Sequence, residues 1–344
     1  MTKKPLVGIT MGDAAGIGPE IILKAFRHAR AKEAADYVVY GSPDVMEQAA
    51  ALVGWQGHIL PVGSPTECRF DEETLEVVNC REMEPGDYAI GQVSAACGDL
   101  AFKAIRRAIT DAQAGLIDAT ATAPINKEAL SAAGVKFAGH TEIYAHYTGT
   151  DDYTMLLMEG NLRVVHVSTH VSLRQAIDLV KKDRIVSVIK LIHEALVGMD
   201  IDHPRMAVAG LNPHAGENGL FGREEIDEIV PAIAEAAELG AEGPYPPDTV
   251  FSRAAGGEFD AVVAMFHDQG HIAVKMAGFR YNEAEGPSIS GINVTLGTPV
   301  IRCSVDHGTA FDRAGKGIAD ESSMLAAMLT AAAMAKQKFG SSIT

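Results

Sequence analysis

Three stretches of the chain end an apolar, β-type run on a histidine. They are Leu162-Arg-Val-Val-His-Val-Ser-Thr-His170, Arg205-Met-Ala-Val-Ala-Gly-Leu-Asn-Pro-His214 and Ala261-Val-Val-Ala-Met-Phe-His267. Short apolar runs of this kind read as buried strands, and open α/β sheets place ligands beyond the carboxyl ends of their strands. Three neutral imidazoles delivered to one topological position suit a catalytic divalent-metal centre with an open coordination position. Spacing alone leaves the plainer alternative open, three unrelated core or turn histidines. His166 shares the side-chain parity of His170 but lies mid-strand and reads as core, and His271 sits further past its strand end than His267. The third stretch continues His267-Asp268-Gln-Gly-His271, with Lys275 just behind it, and organises the rest of the chain. Asp268, and Asp248 in Tyr245-Pro-Pro-Asp248-Thr-Val-Phe251, are candidates for a proton acceptor or for orienting a metal-bound histidine.

The elements that must position these groups follow from pattern. Residues 6–10 form a short strand feeding Met11-Gly12-Asp-Ala-Ala-Gly-Ile-Gly-Pro-Glu20 and then a helix. That turn either presents N–H groups to a phosphate or serves tight strand-to-helix packing, and it does not match GxGxxG. Residues 37–40 read as a second strand, with Ser42 an N-cap. Residues 54–92 show no catalytic pattern. Apolar residues at spacings of three and four make 94–114 an amphipathic helix. Thr122, Asn126 and Lys127 lie near a strand end, as ligand groups or as caps. His140 and Thr141 lie at a helix start, where the dipole favours a phosphate or carboxylate and where a threonine is also an ordinary cap. Leu173, Ala176, Ile177 and Val180 form an apolar stripe on a long helical region. Residues 278–291 read as a loop, residues 293–302 as extended, and a final helix begins near Ser322.

Composition narrows the class. With 344 residues, 47% hydrophobic and 22% charged, the chain reads as an ordinary enzyme of about two domains. A net charge of −16 without clustered Lys/Arg argues against a nucleic-acid partner, though it allows a small anionic substrate. Four cysteines without CxxC spacing support neither a disulfide framework nor a thiolate zinc site and suit a reducing cytoplasm. The first residues lack a signal-peptide core, and no apolar run approaches the ~20 residues of a membrane span.

Several motifs in order, Gly12-Asp-Ala-Ala-Gly-Ile-Gly-Pro-Glu20, Thr122-Ala-Pro-Ile-Asn-Lys-Glu128, Gly139-His-Thr-Glu142, Ser168-Thr-His170, Leu211-Asn-Pro-His-Ala-Gly-Glu217, Pro247-Asp-Thr-Val-Phe251, Phe266-His-Asp-Gln-Gly270 and Ser304-Val-Asp-His-Gly-Thr-Ala310, resemble the 4-hydroxythreonine-4-phosphate dehydrogenase family. The wording around 212–225 and His267-Asp-Gln-Gly-His-Ile is similar to its branch acting on 4-phospho-D-threonate or 4-phospho-D-erythronate. The resemblance implies an isocitrate/isopropylmalate dehydrogenase-like fold of two α/β/α domains. It also implies a homodimer sharing an active site in the interdomain cleft. Expected boundaries are 1–125 plus 253–344 for a cofactor domain and 126–252 for a substrate, metal and dimerisation domain.

Carried over residue by residue, the metal ligands are His170, His214 and His267, the last from the dimer partner. Substrate contacts are His140, Thr141, Lys275, Asn293 and Arg302. NAD is expected at Gly12 and on the loop carrying His307, Gly308, Thr309, Ala310, Asp312 and Asp320. Asp248, Asp268 and Lys275 are the catalytic candidates, and the ion is zinc first, with magnesium, manganese or cobalt also suited. The implied reaction is oxidation of the 3-hydroxyl of a 4-phosphorylated hydroxy acid, followed by loss of CO₂. Alternatives are the vitamin B6 precursor as substrate, a metal-dependent phosphohydrolase, or a non-catalytic binding protein. The chain departs from the family pattern at 280–290, where extra residues separate Lys275 from Asn293.

Overall fold

The computed structural model describes residues 4–71, 73–84, 86–282 and 286–340. The chain runs β1 (Leu6–Thr10), α1 (Gly18–Phe26), α2 (Ala29–Ala34), β2 (Asp36–Gly41), α3 (Pro43–Leu52), β3 (His58–Val62), β4 (Thr74–Asn79), α4 (Ala95–Gln113), β5 (Ala119–Thr122), α5 (Lys127–Ala132) and α6 (His140–Thr148). Next come β6 (Thr154–Glu159), β7 (Leu162–His166), α7 (Leu173–Asp178), α8 (Lys182–Val197), β8 (Met206–Ala209), α9 (Val230–Glu235), β9 (Ala241–Tyr245), α10 (Pro247–Ala255), β10 (Ala261–Ala264) and α11 (His267–Gly278). The last elements are β11 (Phe279–Asn282), β12 (Gly286–Ile289), β13 (Ile292–Leu296), β14 (Arg302–Val305) and α12 (Ser322–Gly340).

Two compact units emerge, Met1–Thr150 with Asn282–Ser288 and Thr298–Thr344, and Asp151–Tyr281 with Ile289–Gly297. These bounds differ from the expected ones at both ends. Residues 126–150 join the first unit because α5 and α6 pack on α4. Residues 253–281 join the second because β10 pairs with β7 on one side and β8 on the other.

The first unit's sheet runs β3-β4-β2-β1-β5-β14, all parallel. Its central strands are apolar on both faces, as a sheet covered on both sides requires: Val7, Ile9, Val38 and Val39 are fully buried. Helix α4 starts at Ser94, whose Oγ accepts from Ala96 N at 3.2 Å, and buries Leu100, Ala104, Ile105 and Ala108. The second unit's sheet runs β13-β6-β7-β10-β8-β9, antiparallel through β7 and parallel from there on. Val164, Ala207, Val250, Val262 and Val274 are among its core residues, so α10 and α11 pack against the three central parallel strands.

Two expectations change. Residues 278–291 are not a plain loop: β11 and β12 pair as a two-stranded sheet, residues 283–285 lying outside the described chain. The region after His170 is two helices, α7 and α8, and the expected stripe divides: Ala176 and Val180 are buried, whereas Leu173 is 61% and Ile177 42% exposed. Among the described residues no helix is long and apolar enough to cross a membrane.

Candidate active site

The three histidine-bearing strands are neighbours in the order β7-β10-β8 and run parallel, so their carboxyl ends share one edge of the second unit. Each strand stops earlier than the sequence pattern suggests. β7 ends at His166, leaving His170 exposed in the following loop, and β10 ends at Ala264, so that His267 opens α11. Gln269 sets the separation of two of these ends: its Oε1 accepts from Met265 N at 2.7 Å and its Nε2 donates to Gly210 O at 2.8 Å. One side-chain amide thus stands where a ladder hydrogen bond between β10 and β8 would continue, and the strand ends splay around it.

Imidazoles line this edge. His267 and His271 stack at 3.6 Å between centroids with planes 11° apart, His166 lies 4.7 Å from His271, and His170 lies 5.8 Å from His267. His267, His271 and Lys275 are spaced by four on α11 and share a helix face. His267 Nδ1 meets Asp268 Oδ1 at 2.6 Å, and His271 Nδ1 meets the His267 carbonyl at 3.0 Å. With its Nδ1 donating to Asp268, the His267 ring keeps an Nε2 lone pair for a cation. His166 is a different case. Burial, reinforced by His271 and His267, pushes it down to about 3, so it is a neutral core group. Gly270 makes room for it, since a Cβ there would lie 2.3 Å from His166 Nε2.

His214 sits in an unusual turn, Pro213–Gly219, where His214, Ala215, Glu217 and Asn218 all have φ between 45° and 55°. Left-handed backbone costs an L-residue roughly 1–2 kcal/mol, so the run persists only if its surroundings over-determine it. The buried carboxylate of Glu225 does so: Oε1 accepts from Leu211 N and Asn212 N, both at 2.8 Å, and Oε2 accepts from Asn212 Nδ2 at 2.9 Å. Helix α10, with exposed Asp248 in its first turn, packs on the same turn.

The first unit holds an anion-type cluster. Arg302, 3% exposed at the start of β14, donates through Nε and Nη2 to Thr122 Oγ1 (3.3 and 3.2 Å) and through Nη1 to Thr141 Oγ1 (3.4 Å). Its guanidinium lies over the Tyr144 ring at 5.6 Å. The Tyr144 hydroxyl donates to Thr120 Oγ1 (2.9 Å), which donates to Ile301 O (3.0 Å), returning to the strand that carries the arginine. Burial, with the Arg302 charge beside it, holds His140 well below its ordinary value, and its buried Nε2 has no hydrogen-bond partner.

The glycine-rich turn serves packing. Asp13 N donates to Pro124 O, Gly16 N to Asp13 O and Ile17 N to Thr309 O, so the N–H groups are spent internally. Gly12 has φ +77°, and a Cβ there would meet Pro124 O at 2.3 Å. Glu20, buried just beyond, accepts from Gly315 N (2.6 Å) and Gly317 N (2.9 Å) and fixes the 307–320 loop. On that loop His307 Nδ1 lies 3.0 Å from Gly308 O, Thr309 is buried, Ala310 has φ +43°, and Asp320 Oδ1 accepts from Ser322 N at the start of α12.

Asp13 itself is buried and pushed up to about 6, first by desolvation and against the Ala15 N–H that it accepts. Its folded pKa lies above its ordinary 3.8, so the folded state holds the proton more tightly. The contribution of Asp13 to stability is therefore greatest below about pH 4, falls as pH rises from about 4 to 6, and levels off above, by on the order of 3 kcal/mol. Asp13→Asn is expected to raise Tm near pH 8 and leave it unchanged near pH 4 in calorimetric scans. Equal shifts at both pH values would contradict this.

The profile described as "Pyridoxal phosphate biosynthetic protein PdxA" matches residues 33–331. The chain belongs to the PdxA family. A PdxA-family relative from Cupriavidus necator, named D-threonate 4-phosphate dehydrogenase, is 45% identical over 97% of this chain and 98% of its own. A crystal structure titled as a 4-hydroxythreonine-4-phosphate dehydrogenase from Burkholderia phymatum is 45% identical, with TM-score 0.81 over 97% of this chain and 99% of that one. A terephthalate 1,2-cis-dihydrodiol dehydrogenase from Burkholderia xenovorans LB400 aligns at 30% identity, with TM-score 0.65 over 93% and 95%. As a member of this PdxA group of dehydrogenases, the chain is an enzyme.

Within this PdxA-family chain, His170 and His267 come together at one edge, with Lys275 on the same helix face as His267. His140, Thr141 and Arg302 gather in the first unit. His214 lies at the end of the adjoining strand with its ring 6.3 Å from Phe221, and among the described residues no three His, Cys, Asp or Glu side chains are placed to hold an ion. Asn293 lies half-buried on β13. Sequence reasoning missed Glu225, Gln269, Glu20, Asp13 and Tyr144 as site-forming groups. For Asp13 and Glu20 a signal existed, both standing in a glycine-rich stretch, whereas Glu225 lies in the charged run Arg223-Glu-Glu-Ile-Asp-Glu228 and is not marked out there.

Proposed function

We propose that this enzyme is an NAD-dependent, divalent-metal-dependent dehydrogenase that oxidises the 3-hydroxyl of a 4-phosphorylated hydroxy acid of the threonate or erythronate type, with decarboxylation of the 3-keto acid following. The observation that carries the reading is the histidine edge. Three adjacent parallel strands carry imidazoles to one side of the sheet, in a chain whose relative of 45% identity is named D-threonate 4-phosphate dehydrogenase. The donor chemistry fits a first-row divalent ion: His267 is held by Asp268 in a ligand-ready tautomer, and His170 stands exposed beyond the end of the neighbouring strand. His170, His214 and His267 would hold the ion, zinc first, and it would supply Lewis acidity that lowers the pKa of the substrate hydroxyl.

The remaining work falls to the chain's own groups. Arg302, Thr141 and neutral His140 form one anion-binding cluster, and Lys275 and Asn293 complete the substrate contacts. Asp268 orients His267, and Asp248, in the helix packed on the His214 turn, is the proposed proton acceptor. NAD accepts the hydride and lies on the 307–320 loop, with Gly12 acting through packing beneath it. The first unit is then the cofactor domain and the second the metal domain of an isocitrate dehydrogenase-like fold in a cytoplasmic enzyme.

A second copy completes the site in this reading. The second unit exposes Leu173 (61%), Leu220 (71%), Ile272 (59%) and Met276 (75%) on elements that carry or flank the ligand histidines. Burying these in a homodimer would supply His267 from the partner.

Relatives carry two substrate names at equal identity, and the 280–290 segment separates two proposed substrate contacts. A screen of NAD reduction with Zn²⁺, Mg²⁺, Mn²⁺ or Co²⁺ against 4-phosphorylated threonate, erythronate and hydroxythreonine decides between them. Phosphate release without NAD reduction would make it a phosphohydrolase, and tight binding without turnover a binding protein.

A further inference from the structure

The geometry points to Glu225 as a positioning residue that holds His214 in place for the metal, an inference that rests on the metal reading above. Glu225 is 3% exposed, and its partners are three N–H groups: Leu211 N, Asn212 N and Asn212 Nδ2. All three belong to the two residues that lead from β8 into the left-handed run. The other side of the carboxylate is closed by glycines. A Cβ on Gly216 would lie 2.6 Å from Oε2 and one on Gly210 would lie 3.2 Å from Oε1. The carboxylate thus touches the chain immediately before and immediately after His214 and Ala215, which fixes the direction in which the strained backbone presents the imidazole.

The carboxylate is required, and an amide does not replace it. Asn212 Nδ2 donates both to Glu225 Oε2 and to Glu224 Oε2, the latter at 2.8 Å. A glutamine at 225 keeps an acceptor for the two backbone N–H groups but turns an NH₂ toward Asn212 Nδ2. Flipping Asn212 to relieve that clash would set its carbonyl oxygen against Glu224. Neither arrangement satisfies the network, and the left-handed run loses the contact that holds it.

The test is calorimetric titration of Zn²⁺ into the chelator-stripped full-length protein for wild type, Glu225→Gln, His214→Ala and the double variant, with circular dichroism reporting the fold. Glu225→Gln is expected to weaken Zn²⁺ binding by roughly 10–100-fold. In the His214→Ala background the same change is expected to have no further effect, because its route to the ion is already gone. Should Glu225→Gln fail to fold, Asn212→Ala removes one of the three contacts and is expected to show the same non-additivity with a smaller loss. Zn²⁺ affinity within twofold of wild type for a folded Glu225→Gln, or losses that multiply in the double variant, would overturn the inference. A wild type that takes no Zn²⁺, or a His214→Ala that binds it undiminished, overturns the metal reading itself and this inference with it.

Discussion

Arg302→Met is expected to lower kcat/KM for the phosphorylated substrate by about 10²–10³-fold while leaving the ligand-free protein at least as stable as wild type. The first half follows from losing one partner of a buried charge-assisted pair, about 2–5 kcal/mol, at tenfold per 1.4 kcal/mol. The second half follows from what Arg302 costs before ligand arrives. Burial pushes its guanidinium down to about 10, so at neutral pH it stays charged under a desolvation penalty. Its folded pKa lies below its ordinary 12.5, so the folded chain binds that proton less tightly, and the penalty is present at every pH below about 10. Methionine fills similar volume without charge and removes it. Steady-state kinetics paired with thermal unfolding, with and without inorganic phosphate, checks both halves. The phosphate-induced rise in Tm should disappear, and a variant that loses activity together with several degrees of Tm would make Arg302 a structural residue instead. Arg302→Lys should fall between, keeping charge but losing the fork that grips Thr122 and Thr141.

How far the sequence discloses this site depends on whether each feature is local. An apolar run that stops at a polar residue is local, so the three histidine-bearing strands were legible. The ends were less so, because Val167 and Ser168 stay buried beyond the last ladder pair of β7 and keep the pattern running to His170. Strand order is non-local. Nothing in residues 162–267 states that β10 lies between β7 and β8, yet that order turns three separate histidines into one edge. The Arg302 cluster depends on register in the same way, since Arg302 pairs with Thr120 and Ser304 with Thr122 across segments some 180 residues apart. The His214 turn is the least legible of all. Glycine and asparagine in 216–219 hint at positive φ, but histidine, alanine and glutamate in that conformation contradict local preference and are held there by a carboxylate further along the chain.

His267→Ala is expected to abolish metal-dependent turnover, a loss of at least about 10³-fold, and His170→Ala to do the same, since removing one partner of a transition-state-stabilising set costs several kcal/mol. Neither variant alone says whether the two histidines serve one chain or two. Mixing them does. If His267 is donated across a dimer, a heterodimer of His267→Ala and His170→Ala rebuilds one intact site from the His170 and His214 of the first chain and the His267 of the second. Its other site is doubly broken. Random reassortment makes about half of the dimers mixed, so activity should return to about one quarter of wild type. If the 5.8 Å approach of His170 and His267 within one chain is the working pair, every site in the mixture lacks a ligand and no activity returns. Denaturing and refolding the variants together, then comparing with each refolded alone, separates these outcomes. Full reassembly of activity without mixing would remove both histidines from the site. The exposed Leu173, Ile272 and Met276 give the same experiment a second arm, because aspartate at Met276 should block reassortment and complementation together if that face is where the copies meet.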